Sequence, residues 1–224
     1  MLPILYSFRR CPYAIRARYC LALLQVPVAL REVVLKDKPA QLLALGGRST
    51  VPQLIDTDGQ RYEESADIMH FALSQSELRL CARQLWPNDK KLTSKINAWV
   101  CYNDNHFKYW LDRYKYADRY PEHSEEYYRS KACIFLKRLN LRLSQQEYLL
   151  GKDMSLADIA IFPFIRQFAG VNAAWFSASE YDAVKEWLKG FLDSETFELV
   201  MKKYPRWESE QAEVCFPEMK RRIP

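Results

Sequence analysis

No apolar run in the 224 residues approaches the ~20 needed to cross a bilayer, so a membrane-spanning helix is excluded. The chain opens on a strand-like segment and not on a leader, which sets the expectation of a cytoplasmic protein. Paired cysteines are missing as well. The six, at positions 11, 20, 81, 101, 133 and 215, form no close pair and no C-x-x-C, which argues against a secreted disulfide framework and against a cysteine metal site. The three histidines, at 70, 106 and 123, show no ligand spacing, so no metal is expected. There is no internal repeat and no low-complexity tract. A strong charge of one sign is also absent: the formal net charge is +5, spread along the chain apart from a short Lys220, Arg221, Arg222 tail. Nucleic acid is not indicated; a small anionic ligand is compatible.

What is present suits a globular chain. With 49% hydrophobic and 27% charged residues it can bury a core as one large domain or two small ones. Residues 4–6 and 30–35 read as strands flanking a helix, a β-α-β opening. A short helix is expected near 39–45, and a third strand over 50–56 with Pro52 near its start. Asp58-Gly59 turns that strand into a hairpin, since glycine readily supplies the positive φ of a tight turn. Glu64 or Ser65 caps the helix that follows, with Ile68, Phe71 and Ala72 on its apolar face. Residues 1–77 are thus expected to form an α/β domain. Residues 78–90 are expected to link it to an all-helical domain over 91–224. In the latter, helices are expected at about 91–118, 122–146, 181–191 and 194–203, and Ser155-Leu156-Ala157-Asp158 reads as a capping box opening a buried helix. Ser155 and Asp158 are structural on this reading.

The segment Arg9-Arg10-Cys11-Pro12-Tyr13-Ala14 carries the chemistry. Pro12 suits the first position of a helix, because its ring presets φ and its missing N–H has no intrahelical partner to lose. Cys11 is then placed at the positive end of the helix dipole, with Arg9, Arg10 and Arg16 nearby. Such surroundings bring a thiol pKa from about 8.5 into a range of roughly 3.5 to 7.5, so a thiolate is expected at neutral pH. The other five cysteines read as buried small hydrophobes. Cys20 falls on the opposite side of the helix at ~100° per residue and is excluded as a resolving thiol.

Cys11-Pro12-Tyr13-Ala14, Val51-Pro52 and Glu64-Ser65, followed by a helical half with Ser155-x-x-Asp158, resemble the glutathione transferases, in particular the cysteine-type, omega-like bacterial members. The resemblance spans the whole chain. It implies a thioredoxin-like N-terminal domain, an all-α C-terminal domain, a homodimer, and a cis bond before Pro52. It also implies glutathione as co-substrate. The Val51 backbone would pair with its cysteinyl residue as an added strand, while Ser65 would take the γ-glutamyl carboxylate at a helix N-terminus. Glu64 would help hold the ammonium end, and Lys38, or Lys36 two residues away, would reach the glycyl carboxylate.

In this family the reactive residue divides the chemistry, and a cysteine attacks sulfur. Cys11 would take a glutathionyl group from a mixed disulfide, or reduce a dehydroascorbate-like compound, and a second glutathione would regenerate it. Ala14 stands where a resolving cysteine would be, so the mechanism is monothiol. Tyr6 competes for the activating role. The resemblance also places a pocket for a small hydrophobic or disulfide co-substrate in the cleft between the domains, for which Tyr13, Tyr102, His106 and Trp175 are candidates. Conjugation to electrophiles and reduction of glutathionyl-hydroquinones use the same frame. A protein of another class, a transferase-like partner-binding module without catalysis, is the further alternative.

Overall fold

The computed structural model describes residues 1–218; the Lys220, Arg221, Arg222 cluster lies outside them. The chain divides into two compact units, one formed by Met1–Ala82 with the stretch from Ser194 onward, the other by Arg83–Asp193.

In the first unit β1 (Ile4–Ser7), α1 (Pro12–Leu23) and β2 (Val28–Glu32) form the β-α-β opening, with Leu5 beside Leu30 in a parallel pair. After α2 (Ala40–Ala44) come β3 (Gln53–Ile55), β4 (Arg61–Tyr62) and α3 (Ser65–Gln75). β3 runs antiparallel to both β1 and β4. The hairpin closes at Gly59, whose φ of 84° is the left-handed value its turn requires. Asp56 secures it by accepting from the Asp58 and Gln60 N–H groups. α1 packs against α3 and is buried along nearly its whole length, Arg16 and Arg18 included.

Two differences from the sequence reading are confined to short segments. The second strand lies two residues earlier than expected, because β1 ends at Ser7: Val33 still donates to the Ser7 carbonyl, but Val34 and Leu35 are left exposed. Residues 78–90 are not irregular, since α4 (Arg79–Leu85) occupies them.

The largest difference is at the C-terminal end, where the expected all-helical stretch does not continue. α11 (Glu195–Met201) packs on α1, and Val214–Phe216 forms β5, antiparallel to β2, completing the sheet order β4-β3-β1-β2-β5. A three-residue strand carries too little periodicity to be read from sequence, and it forms because β2 otherwise presents an unpaired edge. Between them Trp207 is buried with Tyr6, Val33 and Leu42. Its backbone N–H donates to the Glu32 carbonyl at 2.9 Å and its ring lies 4.1 Å from the Arg31 guanidinium.

The second unit is helical: α5 (Lys90–Tyr102), α6 (Lys108–Lys115), α7 (Glu125–Leu143), α8 (Leu156–Ala169), α9 (Ala173–Ala178) and α10 (Asp182–Leu192). The single long helix expected over 91–118 is interrupted by a π-turn at Asn103–Phe107, which apolar spacing does not reveal. Asp89 caps α5 by accepting from the Lys91 and Leu92 N–H groups, and Ser124 caps α7. α8 is the core of the unit. Its capping box is formed, and Asp158 is fully buried. That carboxylate accepts from the Ser155 N–H (2.9 Å), the Ser155 hydroxyl (2.7 Å), the Leu149 N–H (2.9 Å) and the Trp187 indole N–H (3.1 Å).

Candidate active site

Cys11 is the N-cap residue of α1, with extended backbone (φ −74°, ψ 125°) and Pro12 as the first helical residue. Its side chain is half-buried, and its Sγ lies 3.7 Å from the carbonyl oxygen of Val51. β1 delivers the chain to this point, and α1, held by the core, fixes where the sulfur stands. The Val51–Pro52 bond is cis. Val51 precedes β3, and its N–H makes no hydrogen bond among the described residues. One carbonyl bonded weakly to sulfur and one amide without an acceptor leave hydrogen-bonding capacity beside the thiol for an extended peptide.

The other expected ligand residues fall on two further segments of the same unit. Ser65 is the first residue of α3, and Glu64 is its N-cap, without a side-chain capping bond. Ser65 is buried and its Oγ accepts from Arg16 Nε at 2.9 Å. That contact ties α1 to the start of α3. It also shows that Arg16 does not simply add charge near the sulfur; it supports the serine hydroxyl. Only an arginine inside an otherwise apolar helix pattern hinted at this in the sequence. Glu64 is exposed and pairs loosely with Arg48 at 4.0 Å. Lys38 is half-buried with its Nζ on the Ser49 hydroxyl at 3.1 Å, whereas Lys36 is exposed.

Arg9 points elsewhere: its backbone N–H donates to Glu32 and its guanidinium to the Met201 carbonyl. Arg10 lies over Phe8. Tyr6 is buried, its hydroxyl accepts from Arg31 at 2.8 Å, and its ring meets Trp207 edge-on, so this phenol is committed to the core. Cys20 is fully buried with its Sγ on the Met69 carbonyl, and burial pushes its thiol far above the usual range. Cys81 and Cys133 are likewise pushed up by burial. None of the six cysteines is in a disulfide.

The four co-substrate candidates are divided between the two units. Tyr13, in the first unit, stacks under Arg16 at 5.0 Å. In the second unit Tyr102 and His106 stand ring to ring at 4.9 Å, one turn apart across the π-turn. Trp175 packs against Phe168 and under Arg129 (4.6 Å), and no ring contact joins it to those two among the described residues.

Two family models match the chain: "Glutathione S-transferase, N-terminal domain" over residues 5–79 and "Glutathione S-transferase, C-terminal domain" over residues 135–190, together more than half of its length. The chain belongs to the glutathione S-transferase family. The fold agrees. A glutathione transferase family member from Pseudomonas fluorescens Pf-5, solved with two glutathione bound, superposes with a TM-score of 0.76 at 18% identity over 89% of this chain and 92% of that one. A glutathione S-transferase from Methylobacillus flagellatus KT, solved with glutathione bound, gives 0.74 at 21% identity over 88% and 98%. Among curated sequences, glutaredoxin 2 of Escherichia coli strain K12 is 30% identical over 96 residues. That match spans 43% of this chain and 44% of the glutaredoxin.

Proposed function

We propose that this transferase is a cysteine-type member of its family, a glutathione-dependent thiol transferase working through a mixed disulfide between Cys11 and glutathione. The observation that carries the reading is the position of Cys11: a half-buried thiol at the N-cap of α1, 3.7 Å from the Val51 carbonyl. Burial in the core takes Tyr6 and Cys20 out of competition for the role. The partial likeness to a glutaredoxin supports sulfur exchange over conjugation.

The steps balance without an external oxidant. The Cys11 thiolate attacks the glutathionyl sulfur of a mixed disulfide R–S–SG; the Cys11–SG bond forms, the disulfide S–S bond between RS and SG breaks, and R–S⁻ leaves to take a proton from water. A glutathione thiolate then attacks the same glutathionyl sulfur, releasing glutathione disulfide and the Cys11 thiolate. Ala14 supplies no second thiol, so the regenerating sulfur must come from solution. Glutathione binding is assigned to the Val51 backbone, with Pro52 shaping the turn, to Ser65 and Glu64 for the γ-glutamyl end, and to Lys38 for the glycyl carboxylate. Tyr13, Tyr102, His106 and Trp175 remain the candidates for the co-substrate.

Incubation with glutathione disulfide followed by intact-mass measurement tests this directly. One glutathionyl adduct should form, map to Cys11, and leave on addition of reduced glutathione. Cys20, buried and hard to ionise, should remain unmodified. Absence of any adduct, or an adduct elsewhere, would overturn the assignment.

Ser65→Ala provides a separate check on the binding half. Removing the hydroxyl deletes one bond to an anion and leaves Arg16 Nε without this acceptor, so glutathione affinity should fall about tenfold, as one lost charge-assisted hydrogen bond implies. Tryptophan-fluorescence titration with glutathione reads it, and an unchanged affinity would remove Ser65 from the site.

A further inference from the structure

Glu32, the last residue of β2, stands opposite Ser7 at the end of β1, and its backbone carbonyl accepts from the Trp207 N–H. Its carboxylate meets the segment that carries Cys11 at two places. Oε1 accepts from the Arg9 N–H at 2.7 Å, and Oε2 lies 3.4 Å from Arg18 Nη1. Arg9 is the second residue of a tight turn closed by the Cys11 N–H on the Phe8 carbonyl at 3.0 Å, a position whose own N–H the turn leaves unused. Arg18 lies about two helical turns beyond Cys11 in α1. One carboxylate therefore holds the chain on both sides of the cysteine.

The C-terminal stretch closes over the arginine of this pair. Arg18 is fully buried, with the Phe216 ring 4.9 Å and the Tyr204 ring 5.7 Å from its guanidinium, and its Nε and Nη2 have no acceptor among the described residues. Arg9 reaches the Met201 carbonyl through its own guanidinium. A buried pair of this kind adds little net stability, because the loss of hydration offsets the attraction between the charges. What it supplies is location. The dipoles at the start of a helix act on a group only within the first turn, and a misplacement of about 1 Å in a reacting atom costs on the order of a hundredfold in rate.

We propose that Glu32 is a positioning residue for Cys11: by bonding the Arg9 N–H before the cysteine and the Arg18 guanidinium after it, the carboxylate fixes the turn that sets Sγ at the start of α1, 3.7 Å from the Val51 carbonyl. It acts through the backbone and supplies no proton or electron to the reaction. The inference deepens the thiol-transfer reading and rests on Cys11 as its nucleophile. A defect in turnover and not in glutathione binding is expected, since Val51, Ser65 and Lys38 lie on other segments.

Two double variants of the full chain isolate the hydrogen bond to Arg9. Arg18→Met/Glu32→Leu removes both charges and the acceptor; Arg18→Met/Glu32→Gln removes both charges but keeps a side-chain oxygen for the Arg9 N–H. Neither leaves a buried charge unpaired. In glutathionyl exchange the leucine variant should lose about tenfold or more in kcat with KM and glutathione affinity unchanged, whereas the glutamine variant should stay within about threefold of wild type. Alkylation of Cys11 by iodoacetamide, read by peptide mass mapping, should follow the same order, with the leucine variant slowed at least about fivefold. Alkylation requires no glutathione, so a chain that alkylates in this order but exchanges nothing refutes thiol transfer and leaves the positioning role standing. If a lower thermal midpoint shows that Arg18→Met unsettles α1, Glu32→Leu against Glu32→Gln with Arg18 retained repeats the comparison, because both leave that arginine equally unpaired. Equal rates in the leucine and glutamine variants, or a defect confined to KM, overturn the proposal.

Discussion

Cys11→Ser should abolish glutathionyl exchange, lowering the rate by about a thousandfold or more, to the level of glutathione acting alone in solution. The reason is elementary: a serine oxygen neither ionises at neutral pH nor forms a stable bond to the glutathionyl sulfur, so no intermediate accumulates. The change is otherwise conservative. Cys11 is half-buried at a helix N-cap, where serine is well tolerated, so the melting temperature should move little. Cys20→Ala should behave oppositely, keeping full exchange activity while losing some packing against the Met69 segment. A coupled assay on a glutathionylated peptide reads both. Retention of a tenth or more of the activity in Cys11→Ser would show that another group does the chemistry.

Asp158→Ala should destabilise the helical unit by at least about 3 kcal/mol, because four donors lose a common acceptor in a site from which water is excluded. In a unit of this size that is a fall of about 10 °C in the thermal midpoint. Asp158→Asn is the informative intermediate. Its carbonyl oxygen can still receive Leu149 and Trp187, but its amide meets the Ser155 N–H donor to donor, so a loss of about 1–3 kcal/mol is expected. Burial holds the Asp158 carboxyl above the usual range, with the four hydrogen bonds opposing that effect. A carboxyl raised on folding favours the native state most below its unfolded pKa of about 3.9, and the contribution declines as pH rises through the higher folded value. Asparagine does not titrate, so the difference in stability between wild type and Asp158→Asn should change with pH across that window. Thermal unfolding by circular dichroism measures both effects, and a midpoint for Asp158→Ala within 2 °C or so of wild type would remove Asp158 from its structural role.

The two predictions concern residues of unequal legibility. Ser155 and Asp158 are readable as a capping box from spacing alone, since the box is a local device spanning four residues. That the same carboxylate also serves Leu149 and the Trp187 indole is not local: those donors come from a loop before the helix and from α10. Pro12 marks the start of α1 by its own covalent geometry, and Asp58-Gly59 marks a hairpin by its φ preference. The tail is the reverse case. Trp207 is one aromatic residue among polar neighbours and Val214–Phe216 is three residues long, so neither declares its place until the sheet edge and the Tyr6 cluster exist to receive it.

The sequence by itself determined the helix-start position of Cys11, the hairpin and the capping box, each of which depends on torsional preference or hydrogen-bonding residues within a few positions. The two-part glutathione transferase architecture followed from the resemblance that its motifs carry. Only the tertiary structure decided that Arg16 supports Ser65, that Tyr6 is occupied by Arg31 and Trp207, and that the C-terminal stretch rejoins the sheet. Those are meetings between residues tens to hundreds of positions apart, and no local energy term selects them before the chain has folded.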